Sequence, residues 1–460
     1  MSVSTLPNQV KILKQKFTQS FGLPFRELLP ESTIREALQA EKIKYRSRLF
    51  DPVVTLWAFL SQVLDSDKTC HNAVSRVIAW LANENAQIPS EDTTAYCQAR
   101  KRLPEKLLSR LFTLVAQGLE EEVTPVNLWC GRHVKVVDGS TVSMPDTPLN
   151  QEAYPQSSNQ APGCGFPIAK IGTLFSLATG AAVALAVDVL NTHDIKLARR
   201  LYEFLEPGDI LLGDRAFCSY ADIVSIQNHQ ADAVFRLHQS RKQLRRRGKR
   251  IGSSDHLVIW HKPSSRPPGC SQEQFVLLPK TLLLREVHYQ IVIPGFRTKQ
   301  VTLLTTLVNE KAYTTIELVK LYGFRWNVEL DLKHLKCTLS MDILRGKTPQ
   351  MVRKEIYVHL LAYNLLRKVM WEAGTNYGLN PLRLSLQGAR QHLNNFAEPL
   401  AVASTKTRKQ LYQTLLNLIV HKLVPLRPGR SEPRVRKRRP KAYPVMQKPR
   451  SELRQQLKMA

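Results

Sequence analysis

Residues 322–336 read YGFRWNVELDLKHLK, which sets one carboxylate, Glu329, among basic and aromatic neighbours. In a helix, steps of three, four and seven residues return to nearly the same side, so Tyr322, Arg325, Glu329 and Lys336 share a stripe. Lys333 and Lys336 both follow the acid. An acid flanked by cations in this way could hold a metal ion against a phosphate chain. The plainer alternative is an i,i+4 ion pair between Arg325 and Glu329 on a surface helix, worth only about 0.3–0.5 kcal/mol. Asp331 lies nearly opposite Glu329 around such a helix and could not easily replace it.

Two aspartates elsewhere have matching contexts. Asp138 in HVKVVDGSTV and Asp214 in GDILLGDRAF each follow a short apolar run. The first run reads as a strand ending at Asp138, with Gly139 and Ser140 as turn residues. A single aspartate after a strand is commonly a turn or helix cap. Two of them, added to Glu329, make a hard oxygen-rich donor set suited to Mg²⁺. Three uncompensated carboxylates would repel one another, so bound cations explain the grouping better than paired acid and base work. Two ions about 4 Å apart could activate an attacking oxygen and stabilise a departing one in phosphodiester transfer. Arg325 offers a planar fork to phosphate oxygens, and Lys336 a movable point charge. Tyr322 could place its hydroxyl on a phosphate oxygen or pack under the guanidinium.

The elements that must carry these groups change character along the chain. Residues from about 10 to 122 read as helical, with a buried helix over 49–64 opened near Asp51 and Pro52. The cluster Arg100, Lys101 and Arg102 could rest on a DNA backbone or form an ordinary solvated face. Strands are expected at 171–176, 182–188, 210–214 and 233–237, with helices at 195–204 and 219–228 between them, which describes a mixed α/β core. Residues 239–309 look inserted: they open with RKQLRRRGKR and continue as strand-like runs at 257–260, 275–279, 289–293 and 301–306. Trp260 in that segment could stack on an unpaired base or sit in a core. Helical pattern resumes at Thr315, and a second amphipathic helix near 352–371 aligns Ile356, Leu360, Tyr363 and Leu366. Beyond Pro425 the Pro-rich, basic sequence reads as a flexible tail suited to phosphate attraction.

Composition narrows the partners. Sixty-six Lys and Arg against 38 Asp and Glu give a formal charge of +28, which favours a polyanion, and nucleic acid first. No run of 18 apolar residues supports a membrane partner, and the start of the chain lacks a secretory core. The seven cysteines contain no CxxC pair, so neither a disulfide framework nor a zinc site is expected. A reducing, cytoplasmic setting on the nucleoid is the resulting expectation. His133, His193 and His334 lack ligand spacing. GxGxxG, GxxxxGK[ST] and GxSxG are absent, which argues against dinucleotide binding, P-loop ATP hydrolysis and serine hydrolase chemistry.

With both aspartates ahead of it, the motif Tyr322, Arg325, Glu329, Lys336 resembles that of the IS4-family DDE transposases of bacterial insertion sequences, over roughly residues 50 to 400. The resemblance implies an α/β, RNase H-like catalytic core with a β-rich insertion and an N-terminal helical domain. On that basis the chain divides into a helical DNA-binding domain (1–128), the first part of the core (129–238), the insertion (239–309), the second part with the glutamate helix (310–400), and a C-terminal helix and basic tail (401–460). It also implies Asp138, Asp214 and Glu329 as catalytic ligands of two Mg²⁺ ions, with Mn²⁺ as a substitute. The implied partners are double-stranded DNA with terminal inverted repeats and target DNA, engaged by a homodimer on paired ends. The implied reaction is cleavage at the repeats followed by joining of the 3′-hydroxyl ends to target DNA. Several family members pass through a hairpin end, with an inserted tryptophan holding a flipped base. A metal-dependent endonuclease without strand transfer, or a retired DNA-binding scaffold, remains the alternative.

Overall fold

The computed structural model describes residues 28–46, 48–83, 88–238, 248–267, 269–291, 300–425 and 446–459. The chain divides into two compact units, Met1–Glu122 with Lys333–Val424 and Val123–Leu332 with Pro425–Ala460.

The first unit is helical. Helix Pro52–Leu64 opens as expected: Asp51 Oδ1 accepts the Val54 N–H at 2.9 Å, and proline follows the cap. Every residue from Val53 to Leu64 is buried, because the segment is apolar around its whole circumference. The 28-residue helix Pro349–Asn376 packs against it and against helices Glu105–Glu120 and Thr405–Val420. Ile356, Leu360, Tyr363 and Leu366 are fully buried on it. Lys354 is also buried, and its ammonium caps the C-terminal end of helix Thr94–Arg102 by donating to the Lys101 carbonyl at 2.7 Å.

The second unit is built on one nine-stranded sheet. Its strands are β1 (Val134–Ser143), β2 (Ile168–Ser176), β3 (Ala182–Val189), β4 (Ile210–Gly213), β5 (Asp232–Arg236), β6 (Lys249–Gly252), β7 (Asp255–His261), β8 (Thr281–Gln290) and β9 (Gln300–Thr305). Their order is β3-β2-β1-β4-β5-β9-β8-β7-β6. The first three form an antiparallel meander, while β4 and β5 run parallel to β1. The inserted strands continue the same sheet, since β9 pairs antiparallel with β5. The fold is thus mixed α/β with a helical N-terminal region.

Four expectations need correction. Gly139 and Ser140 are not a turn: β1 runs on through Ser143, held by a ladder to β2 that reaches Ser143↔Ile168. Residues 275–279 fall largely in a helix, Gln272–Leu277, because Ser271 and Gln274 form a capping box that outweighs a short apolar run. The strand placed at 289–293 lies earlier, at Thr281–Gln290, and β6 was not anticipated. The tail is not wholly unstructured. Arg450–Met459 is a helix whose Arg450 donates to Asp146 Oδ2 (3.1 Å) and to the Gly165 (2.8 Å) and Cys164 (3.2 Å) carbonyls. The basic stretches at 239–247 and 426–445 lie outside the described residues. Among the described residues no helix is long and apolar enough to cross a membrane.

Candidate active site

The parallel register of the central strands brings the two aspartates together. Val136 of β1 pairs with Leu212 of β4, and two residues further on each strand stand Asp138 and Asp214. Both carboxylates are fixed in the same way. Oδ1 of Asp138 accepts the Gly139 N–H at 2.8 Å, and Oδ1 of Asp214 accepts the Arg215 N–H at 2.6 Å. Each therefore keeps Oδ2 for a ligand. Asp214 is also the N-cap of the short helix Arg215–Phe217, so the capping and metal-binding readings of its context are compatible.

Each aspartate has a glycine beside it for a packing reason. A Cβ on Gly139 would sit 3.1 Å from Asp194 Oδ1, and that carboxylate is held by Lys170 at 3.0 Å. A Cβ on Gly213 would meet the Phe235 ring at 2.9 Å and the Phe217 ring at 3.1 Å. Ring packing thus confines position 213 to the smallest residue, while a side chain at position 139 would require the Asp194 carboxylate to shift.

Glu329 approaches on a different kind of element. Helix Thr315–Phe324 ends at Phe324, and helix Trp326–Lys333 carries the glutamate on from there. Its carboxylate is half exposed and accepts from Arg325 Nη2 at 3.1 Å. The ion pair foreseen as the plainer reading is therefore present, but Arg325 is no surface residue. Its guanidinium is only 8% exposed, lies 4.5 Å from the Trp326 ring centroid, and keeps a buried Nε without a partner among the described residues. A buried, unsatisfied donor on a cation is costly and suits an anionic ligand.

The electrostatics tie these groups into one field. Burial, helped by the Glu329 and Asp214 charges, pushes the Asp138 carboxyl up to about 6, against the pull of the Gly139 N–H and of Arg325. Burial works against the Arg325 charge, yet Tyr322, Asp214 and Glu329 hold its pKa above the ordinary value. Burial also raises the Tyr322 phenol, so that its hydroxyl stays protonated. The three carboxylates have the donor chemistry of a hard-cation site. Among the described residues no cluster of three His, Cys, Asp or Glu is drawn together closely enough to hold an ion.

Other expected residues lie elsewhere. The stripe through Lys336 assumed one continuous α-helix, but His334–Thr338 is a π-helical turn, whose wider spacing moves Lys336 out of that register. Lys333 is exposed at the end of the glutamate helix. Arg100 does not face solvent as its neighbours do. It packs on the Phe59 and Tyr96 rings at 5.1 and 4.9 Å and donates to Cys70 Sγ at 3.0 Å, while Lys101 and Arg102 are exposed. Trp260 is 6% exposed and belongs to the core formed by Phe235, Leu282 and Leu284, so it offers no face to a base.

One neighbour escaped the sequence reading. Gly213 of β4 pairs with Phe235 of β5, so the next residues along are Asp214 and Arg236. Asp138, Asp214 and Arg236 thus occupy the same level of three adjacent parallel strands. Arg236 also acts on the Tyr322 and Tyr289 phenols, which places a second cation in the same field as Arg325. Only the register reveals it, because nothing around Arg236 in sequence is distinctive.

The helix bearing Tyr322 is anchored to the inserted strands by a buried ion pair. Arg285 on β8 is wholly buried; its Nε donates to Asp255 Oδ1 at 2.8 Å and its Nη1 to the Tyr313 carbonyl at 2.7 Å. Thr315, the first residue of the helix, donates its hydroxyl to Asp255 Oδ2 at 2.7 Å.

Two carboxylates aligned on adjacent parallel strands, with a buried arginine in the same field, have the donor chemistry for phosphate and its counter-cations. The comparisons with known proteins specify the family. The family model "Transposase DDE domain" matches residues 129–365, and "Insertion element 4 transposase N-terminal" matches residues 21–113. The chain belongs to the IS4 family of DDE transposases. It is similar to "Transposase InsG for insertion sequence element IS4" of Escherichia coli (strain K12), 26% identical over 427 residues, 91% of this chain and 92% of that one. "Putative transposase InsL for insertion sequence element IS186A" of the same organism is 26% identical over 205 residues, 38% of this chain and 55% of that one. "Putative transposase y4zB" of Sinorhizobium fredii (strain NBRC 101917 / NGR234) is 21% identical over 185 residues, 40% of this chain and 48% of its own length.

Proposed function

We propose that this transposase cuts DNA at the terminal inverted repeats of its element and joins the freed 3′-hydroxyl ends to target DNA, as a pair of chains on paired ends. Asp138, Asp214 and Glu329 would hold two divalent ions, Mg²⁺ or Mn²⁺, in a core of RNase H-like type. When bound, such a pair supplies charge stabilisation on both the attacking and departing oxygens of the phosphodiester. The observation that carries the reading is the alignment of Asp138 with Asp214 across parallel strands, each with one oxygen fixed by the next backbone N–H. The strand order β3-β2-β1-β4-β5 supports the proposed core type.

The chain's own groups have distinct parts. Arg325, with its unsatisfied buried Nε, takes a non-bridging phosphate oxygen when DNA is present, and Arg236 adds a second positive charge. Tyr322 remains protonated and can donate to the phosphate. As Arg325 turns to phosphate, Glu329 is released to join the two aspartates.

Glu329→Gln should retain binding to an element-end duplex yet abolish Mg²⁺-dependent nicking on a denaturing gel. Nicking at the wild-type rate would overturn the assignment. The same gel resolves joined strands from simple hydrolysis; nicks without any joined product would favour an endonuclease over a transferase.

A further inference from the structure

A second basic feature lies within the helical unit, where the site above places nothing. Helix Glu31–Ala40 ends in a left-handed turn, with Lys42 at φ 51° and the Ile43 N–H donating to the Leu38 carbonyl at 2.9 Å. Glu41 at that turn is held by Lys106, whose Nζ donates to its carbonyl at 2.6 Å and pairs with its carboxylate at 3.3 Å. Arg110 approaches the same carboxylate at 3.7 Å. The local acid is thus engaged in anchoring the turn to helix Glu105–Glu120.

Past this turn the chain continues as KIKYRSR, in which every second residue, Lys42, Lys44, Arg46 and Arg48, is basic and exposed. Among the described residues none of the four has an ion-pair partner. Lys44, Tyr45, Arg46 and Arg48 line a cleft of about 420 Å³ together with Arg102 from the end of helix Thr94–Arg102. Thr55 lines it too, and its buried hydroxyl has no partner among the described residues. Asp51 is the cleft's carboxylate, and one of its oxygens is engaged in capping helix Pro52–Leu64. Tyr45 is 41% exposed among these cations. Uncompensated like charges held on a fixed surface repel one another until an anion binds them.

We propose that Lys42, Lys44, Tyr45, Arg46 and Arg48 together with Arg102 form a surface that grips the phosphate backbone of double-stranded DNA. Arginine and lysine contacts of this kind set a protein's position on a duplex without reading its sequence. The tyrosine ring supplies apolar surface for the sugar beside a bound phosphate. The inference rests on the reading of this chain as an enzyme that acts on DNA. It moves the main duplex contact of the helical unit from Arg100, which is engaged inside the unit, to the segment before helix Pro52–Leu64.

The test is fluorescence anisotropy of the full-length protein with a 40-bp duplex, either element-end or unrelated, across a salt titration. The cleft variant is Lys44→Glu/Arg46→Glu/Arg48→Glu. The control, of equal charge change, is Lys406→Glu/Lys409→Glu/Lys422→Glu on exposed positions of the same unit. Loss of three phosphate contacts should flatten the slope of log K against log salt by about 2.7 and weaken binding on the order of 10- to 100-fold near physiological salt. The control should leave the slope unchanged. Lys44→Gln/Arg46→Gln, which adds no negative charge, should flatten the slope by about 1.8, so a folding defect of the triple variant cannot hide the answer. A cleft variant indistinguishable from the control overturns this inference alone. A wild-type protein that binds neither duplex overturns both the inference and the function on which it rests.

Discussion

The aspartates and the glutamate of the proposed metal site are held in opposite ways. Asp138 lies within β1 and Asp214 just past the end of the adjacent β4, each locked by a hydrogen bond to the next residue's N–H and flanked by a closely packed glycine. Glu329 is half exposed on a helix that starts afresh after Phe324, and its carboxylate is turned to Arg325. Two arms are therefore set before any ligand arrives, while the third is kept aside by an ion pair that phosphate can dissolve. The difference teaches that a shared field can be built from unlike supports: two acids are bound by the backbone, and the third is paired with a neighbouring arginine.

The largest effect should come from changing the reach of the preset arms. Asp138→Glu keeps the charge but moves the oxygens by one methylene, away from the Gly139 N–H. A misplacement of about 1 Å can cost on the order of 10²-fold in rate, and a rigid strand cannot compensate. Glu329→Asp alters reach by the same amount on a helix end able to adjust, so its loss should be about tenfold. Single-turnover nicking with saturating Mg²⁺ measures both. Equal losses would erase the distinction between preset and movable arms.

The next effect concerns what limits that movement. Arg285 and Asp255 form a buried pair that also binds the start of the helix leading to Arg325. Removing one partner of such a pair typically costs about 3–5 kcal/mol, because the other charge is left buried and unpaired. Arg285→Met should destabilise the second unit by that order, and Arg285→Met/Asp255→Leu should restore much of the loss. Hydrogen exchange of helix Thr315–Phe324 is the measurement, since it reads this element rather than global melting of a two-unit chain. Unchanged protection in the single variant would show that the insertion does not anchor the helix.

The same contrast explains how far the sequence could be read. The strands that carry Asp138 and Asp214 were legible because their apolar runs are local, and so was the capped helix Pro52–Leu64. The turn expected after Asp138 was wrong because a Gly-Ser pair signals a turn only when no ladder claims it, and β2 lies 25 or more residues away. Arg236 was invisible, since only the pairing of β4 with β5 sets it beside Asp214. Arg100 looked like a surface base because the partners that cover it, Phe59, Gln62 and Cys70, lie some 30 to 41 residues earlier. Trp260 went from candidate to core for a similar reason: its neighbours arrive from β8 and β5. Local chemistry nominated the candidate groups, and non-local pairing decided where the fold places them.

The smallest and most informative effect is on pH. Burial raises the Asp138 carboxyl to about 6, with further upward pushes from Glu329 and Asp214. A carboxyl raised in the folded state takes up a proton between about pH 6 and its ordinary value near 4 that the unfolded chain does not. Its contribution to metal-free stability therefore grows as pH falls through that window. Ion binding has the opposite sign, because the proton must leave before a divalent ion can enter. The Mg²⁺ concentration for half-maximal nicking should be flat from pH 8 to 7 and rise up to tenfold per unit below about 6. Arg325→Met removes an influence that lowers this pKa and should move the limb to higher pH. Glu329→Gln removes one that raises it, and calorimetric Mg²⁺ titration of that inactive variant should place the limb lower. Opposite shifts from the two halves of one ion pair would show that the movable arm controls the charge of a preset one, whereas an unmoved limb in both variants would leave burial as its only cause.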